Sequence, residues 1–370
     1  MDPFGQLPWF ALQNILSNLD LPSLHSLHNA SPEVMVFLHR NHNLFTYIID
    51  AIIENTARER GLMLHVQHAV RLIIFVWTRQ SSHKSAVPVQ EPDTDILGSL
   101  QLIREQSPYN PSPIWKTISP STPSAILCQL LSLMTRLRCL THAYFHSTIS
   151  KCLQIHVEHL PKKTKYILTR GIVDPSQRPP GIPYTPVDIG PPTWLEEQRL
   201  LAGLLCIVLF YELRKTNNQV SSDDNVEGFW TTVFERGGQV EQIATLLHWL
   251  DGQASGHAKV YSWLLSGKGS EDYNRCCQRY TSMTDKQWVQ AEIDLCSWRS
   301  SRGMQSLWRC YSPFRPYGVV FWDGIRMDAL GLPEAQYSHY MWFTWSFMLT
   351  EEDWEEIRRR QGDPSFDRRR

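Results

Sequence analysis

Hydrophobic positions over the first fifty residues recur with a helical period. Leu12, Ile15, Leu16 and Leu19 stand at i, i+3, i+4 and i+7, an apolar stripe on a short helix begun at Pro8. Pro22 opens a second short helix carrying Leu24 and Leu27. Ser31-Pro32-Glu33 then has the makings of a third N-terminus, with Ser as cap, Pro in the first turn and an acid near the positive end of the helix dipole. Val34, Phe37, Leu38, Phe45, Ile48 and Ile49 continue the pattern until Gly61 ends it. A further amphipathic helix covers about 62–79, with Val66, Ala69, Val70, Ile73 and Ile74 facing inward.

Residues 80–93 and 106–124 are rich in Ser and Pro and read as loops. A long helix near 123–158 follows, faced by Leu127, Leu130, Leu131, Met134, Leu137 and Tyr144. Eight prolines between 161 and 192 interrupt helical hydrogen bonding and predict an extended linker or a surface-wrapping arm. Thr193 and Glu196 have the spacing of a capping box, opening a helix over 194–214. Its apolar run, Leu200 to Tyr211, falls short of the roughly 20 residues a membrane span needs, and charged residues flank it, so it predicts a helix buried in protein. Later helices are expected at 226–235, 239–253, 256–266, 284–298, 334–349 and 350–361. The clearest strand-like piece is Tyr317 to Trp322, expected as a short buried extended segment, after which Asp323 caps a helix bearing Ile325, Met327 and Leu330 and closed at Gly331. No repeat of 20–50 residues is present, which argues against solenoids and propellers. The fold class expected is mainly α.

Composition agrees with a folded chain, at 42% hydrophobic and 20% charged. Lys and Arg (36) balance Asp and Glu (37), so no electrostatic case arises for a nucleic acid or anionic membrane as partner. Basic clusters are confined to Arg358-Arg359-Arg360 and to residues 362–370, which read as a basic tail. Met1-Asp2-Pro3 is a poor start for a secretory signal, and eight scattered cysteines suit reduced thiols. An intracellular chain, cytoplasmic or nuclear, is the expectation.

Candidate chemistry is thin. The fourteen histidines include pairs at helical spacing: His25/His28, His39/His42, His65/His68, His142/His146 and His156/His159. Cys152, His156 and His159 form the densest set of possible ligands, but no second pair stands at finger or ribbon spacing, so no metal and no cofactor are expected. GQASG (252–256) is not a nucleophile elbow, and SGKGS (266–270) lacks phosphate-loop spacing. The carboxylate pairs Asp223/Asp224 and Glu351/Glu352 suit helix starts. The chain reads as non-catalytic. Its fourteen tryptophans, several after residue 288, suit either a helical core or a groove for a partner peptide.

The opening pattern, Leu-Pro followed by spaced leucines and then Asp-Leu with a second leucine series and Ala-Ser, resembles the F-box, in particular the F-box-like form of filamentous-fungal proteins. The matching residues are Leu7, Pro8, Leu12, Ile15, Leu16, Leu19, Asp20, Leu21, Leu24, Leu27, Ala30 and Ser31. Phe10 stands where typical F-boxes carry Glu. TWLEEQRLLAGLLCIVLFYEL (193–213) and YGVVFWDGIRMDALG (317–331) are similar to the central and C-terminal segments of those proteins. The resemblance implies a three-helix F-box-like module at 5–48, packed on or linked to a larger irregular helical domain with long Pro-rich loops. Its parts would be a helical region with Ser/Pro-rich loops at 49–160, a Pro-rich arm at 161–192, and a helical domain at 193–361 ending in the GVVFWD segment. It also implies a substrate receptor whose Leu7, Pro8, Leu12, Ile15, Leu16, Leu19, Leu21, Leu24 and Leu27 hold a Skp-type adaptor of a Skp-cullin-F-box ubiquitin ligase. An unknown protein substrate would bind elsewhere. The alternative is a structural or interaction protein whose F-box-like hairpin does not bind the adaptor.

Overall fold

In the computed structural model, residues 2–55, 61–82, 117–159, 180–216, 226–234, 238–254, 257–266, 312–332, 349–353 and 355 are described. About 75% of them are helical. The expected helices at 284–298 and 334–349, and most of 350–361, lie outside the described residues. The chain divides into two compact units. The first comprises Met1–His142, Glu197–Ile243 and Leu250–Cys277, and the second Ala143–Glu196, Ala244–Trp249 and Gln278–Arg370.

The first unit opens with a 3₁₀ turn, Pro3–Gln6, and four short helices: α1 (Trp9–Ser17), α2 (Leu21–Ala30), α3 (Pro32–Arg40) and α4 (His42–Glu54). Each boundary has a local cause. Asp20 accepts from the Ser23 amide at 2.7 Å and starts α2. Ser31 accepts from Val34 at 3.1 Å and starts α3. Asn41 accepts from Leu44 at 3.2 Å, which splits the apolar stretch 34–49 into two helices rather than one. α1 packs on α4, and α2 packs on α3 and α4. The core between them holds Leu12, Leu16, Leu24, Val34, Leu38, Phe45 and Ile48.

α5 (Leu64–Ser82) sends Arg71 back to α4, where it meets Asp50 at 2.8 Å and Glu54 at 3.1 Å. α6 (Ser124–Cys152) sends Arg138 to Asp20 at 2.8 Å, so the α2 cap also carries an ion pair. α7 (Trp194–Thr216) buries Leu204, Leu205, Val208 and Leu209 fully, as its apolar run predicts. No helix among the described residues is long and apolar enough to cross a membrane. α8 (Val226–Phe234), α9 (Gly238–Ala254) and α10 (His257–Ser266) follow. Arg136 donates to the last carbonyls of α10, at Trp263 (2.7 Å) and Leu264 (2.6 Å), a basic side chain closing a helix C-terminus.

One buried histidine gives this unit a pH dependence. His68 on α5 is enclosed, and burial first, then the Arg71 charge beside it, pulls its pKa down to about 4. The unfolded chain takes up that proton near 6.5 and the folded chain does not, so stability is present above 6.5 and lost as the pH falls towards 4. We expect urea midpoints to fall across that window by an equivalent of about 3 kcal/mol at most. His68→Gln is expected to remove that component of the slope.

The second unit is built on aromatic packing and on two linked helix caps. Tyr144 meets Trp249 and Phe321 edge-on at 5.4 Å each, and Phe145 meets Trp322 at 5.5 Å. β1 (Val157–His159) pairs antiparallel with β2 (Ile182–Tyr184) in the register Val157 to Tyr184. Of the Pro-rich stretch, residues 180–192 are described, and Val187 donates to the Ala329 carbonyl at 2.9 Å.

The GVVFWD segment differs from the extended piece expected. A 3₁₀ turn, Ser312–Tyr317, runs into Gly318 at φ +64°, and Val319 to Phe321 continue as turns. A Cβ at Gly318 would lie 2.7 Å from the Tyr144 hydroxyl, so both the backbone angle and the space require glycine. The four apolar side chains Val319 to Trp322 are buried all the same. Asp323 then caps α11 (Gly324–Ala329) through the Arg326 amide at 2.9 Å, and Gly331 at φ +72° ends it.

The capping box at α7 is reciprocal: the Thr193 amide donates to Glu196 Oε2 at 2.9 Å, and the Glu196 amide donates to Thr193 Oγ1 at 3.3 Å. The two caps join. Thr193 Oγ1 donates to Asp323 Oδ2 at 2.9 Å, and Glu196 Oε1 accepts from the Asp323 amide at 3.0 Å. Arg326 Nε reaches both Glu196 oxygens at 2.9 and 3.0 Å, and its amino groups donate to the Gly190 and Pro191 carbonyls. Glu196 and Arg326 are both fully enclosed, the guanidinium over the Phe145 ring at 4.6 Å.

Candidate docking surface

Residues 3–19 contain no charged side chain and no histidine, and Asp2 and Asp20 bracket them. Within them Pro8 pre-sets the backbone for α1 at φ −56°. The helix that follows has two characters. At about 100° per residue, Leu12 and Leu16 share one edge and point into the first unit's core, where both are buried. Measured from Leu12, Trp9 and Ile15 lie about 60° to either side, Trp9 close to Leu16, and Phe10 lies about 160° away. Trp9 is 67% exposed and Phe10 61%, with their rings in an edge contact at 6.2 Å. Leu7 and Ile15 are exposed as well.

The nine leucine-pattern residues therefore separate by burial. Leu12, Leu16, Leu21 and Leu24 are interior and hold the helices together. Leu19 and Leu27 are half-buried, and Leu7, Pro8 and Ile15 face outward. Ile15 leaves the stripe that its spacing assigns to it, because a nine-residue helix packed on α4 covers only a narrow arc. Trp9 and Phe10 contribute the largest exposed apolar area here, and the leucine pattern overlooks them. The wheel position of Phe10, opposite Leu12, is the signal that finds it.

The surface offers apolar area and amides (Gln6, Gln13, Asn14) but no group that titrates near neutrality. It can bury area against a partner, not transfer a proton or attack a bond. Covering a side chain as large as Trp9 or Phe10 is worth about 2–3 kcal/mol, and the absence of charge is what the centre of an interface has in common with it.

The Cys152, His156 and His159 set does not converge. Cys152 is buried, its thiol pushed up to about 12 by burial, with Sγ on the Tyr317 carbonyl at 3.2 Å. His156 faces solvent beside Glu158 at 3.4 Å. His159 stacks on Tyr184 at 4.6 Å and reaches the Gly331 carbonyl at 3.0 Å. Comparison with known proteins adds nothing to this geometry: no family model matches the chain, and no curated protein or solved structure matches it.

Proposed function

We propose that this chain is a non-catalytic, intracellular F-box-like protein of fungal type, a substrate receptor that joins a protein target to a Skp-cullin-F-box ubiquitin ligase. In this reading, residues 5–48 are the F-box-like module, linked to a larger irregular helical domain with long Pro-rich loops. The surface that meets the Skp-type adaptor is Leu7, Pro8, Trp9, Phe10 and Ile15, and Leu12, Leu16, Leu21 and Leu24 keep that surface in shape. The observation that carries it is the uncharged, exposed apolar face of α1 at the position of the Leu-Pro motif. Association would follow from helix burial in an apolar groove, less the entropy of docking.

The experiment is co-purification of the full chain with a fungal Skp adaptor, followed by titration of Trp9→Asp and Phe10→Asp. Both positions lie in the first turn of α1, where a carboxylate suits the helix dipole, so the fold is expected to hold within about 0.5 kcal/mol by thermal melts. Adaptor affinity is expected to fall at least about 30-fold for Trp9→Asp, the loss of a hot-spot contact. A wild-type chain that ignores the adaptor overturns the proposal. It would leave the second reading, an interaction protein whose hairpin serves only its own core, which the burial of Leu12, Leu16, Leu21 and Leu24 favours.

A further inference from the structure

Three side chains from three helices of the first unit bring their metal-binding atoms together. His28 lies in the last turn of α2, His39 in the last turn of α3, and Cys128 near the start of α6. The Nε2 atoms of the two histidines are 3.2 Å apart, and Cys128 Sγ stands 4.0 Å from the first and 3.9 Å from the second. Among the described residues this is the one such group whose ligand atoms all lie within 4.8 Å of one another. Both imidazoles rest on Phe45, whose ring is fully buried and parallel to that of His28 within 10°.

We propose that His28 Nε2, His39 Nε2 and Cys128 Sγ form a zinc site with a fourth, outward-facing position for water or an external ligand. Zinc bonds of about 2.0–2.1 Å to imidazole and about 2.3 Å to thiolate, at tetrahedral angles, place the nitrogens about 3.3 Å apart and each nitrogen about 3.6 Å from sulfur. The observed triangle needs the sulfur to close by only a few tenths of an ångström. Two imidazoles and one thiolate are a donor set that suits zinc, and three protein ligands plus an open position is one of its established coordination patterns. His39 is exposed, which gives the ion a path in.

A directional chain of hydrogen bonds behind His28 supports the site. Thr135 Oγ1 donates to the Leu131 carbonyl at 2.8 Å, and so accepts from His25 Nδ1 at 3.0 Å. His25 Nε2 is then left to accept from Asn29 Nδ2 at 3.1 Å, which turns Asn29 Oδ1 towards His28 Nδ1 at 3.2 Å. An amide oxygen can only accept, so His28 carries its proton on Nδ1. Its Nε2 lone pair is thereby aimed at Cys128 and His39, the arrangement by which outer groups prepare a histidine ligand. On binding, the Cys128 thiol gives its proton to solvent and the sulfur takes the metal in its place, one proton released per ion.

The test is cobalt titration of the full-length chain after chelator treatment. The wild type is expected to bind one Co²⁺, with a thiolate-to-cobalt charge-transfer band and the intense visible bands of tetrahedral cobalt, both bleached by an equivalent of Zn²⁺. Cys128→Ser is expected to lose the charge-transfer band. His39→Ala, a surface change that circular dichroism should show to be folded, is expected to weaken binding at least about 100-fold, more than the loss of an outer partner brings. Asn29→Ala touches no metal and is expected to cost about tenfold. No cobalt spectrum in the wild type overturns the site. So does an unchanged spectrum in both Cys128→Ser and His39→Ala, or a site that takes Cu²⁺ and refuses Zn²⁺ and Co²⁺.

Discussion

Replacing Arg326 by Met is expected to destabilise the second unit by about 3–5 kcal/mol, the cost of leaving a buried partner charge uncompensated. Glu196 has no exposed surface, and burial raises its carboxyl above the ordinary range, with the nearby Asp323 charge adding to the effect. Arg326 opposes that rise, through contacts at 2.9 and 3.0 Å. Removing the guanidinium also frees the Gly190 and Pro191 carbonyls that it ties down. A pair of this kind contributes less than its breakage costs, because both ions were first taken out of water. Arg326→Met with Glu196→Gln should therefore be more stable than Arg326→Met alone. Urea unfolding of the four members of the cycle measures this, and a coupling of at least about 1 kcal/mol is expected for groups in direct contact.

Phe321→Ala is expected to cost a similar 3–5 kcal/mol by a different route. The side chain is fully buried, and its ring meets Tyr144 edge-on at 78°. Truncation removes apolar area from the core and leaves a cavity beside Tyr144 and Trp322 that rigid aromatic neighbours refill poorly. Phe321→Leu fills most of that space and should lose much less. Calorimetry gives the size of each effect, and near-ultraviolet circular dichroism should report loosened Tyr and Trp packing in the Ala variant only.

Local causes were legible in the residues, and long-range meetings were not. Ser31-Pro32, the Thr193/Glu196 spacing, Asp323 and Gly331 each carry their own physical reason within four residues, and each serves as a cap or terminator. Asn41 is a cap that the pattern conceals, because apolar residues on both sides keep the helical period across it. The run Val319 to Trp322 is apolar throughout, which announces burial but not conformation. Gly318 at positive φ and Pro316 in the preceding turn decide the path instead. On α1 the leucine pattern marked Leu12 and Leu16, which hold the helix down, but also Ile15, which is exposed together with Trp9 and Phe10. His28 and His39 are visible as members of histidine pairs on their own helices, but Cys128 lies 89 and 100 positions further on, where no spacing rule reaches.

The linked caps of α7 and α11 set an order of events during synthesis. Glu196 leaves the ribosome 130 positions ahead of Arg326. At about 5–20 residues per second, the carboxylate waits roughly 7–26 s for the only guanidinium seen to pair with it among the described residues. Until then it stays hydrated, and the start of α7 cannot bury it without a large penalty. The apolar run that follows, Leu200 to Tyr211, is meanwhile tethered to an end that is not yet free to close. A nascent chain halted between residues 216 and 326 is thus expected to expose that run, and to be the form of this protein that chaperones hold longest.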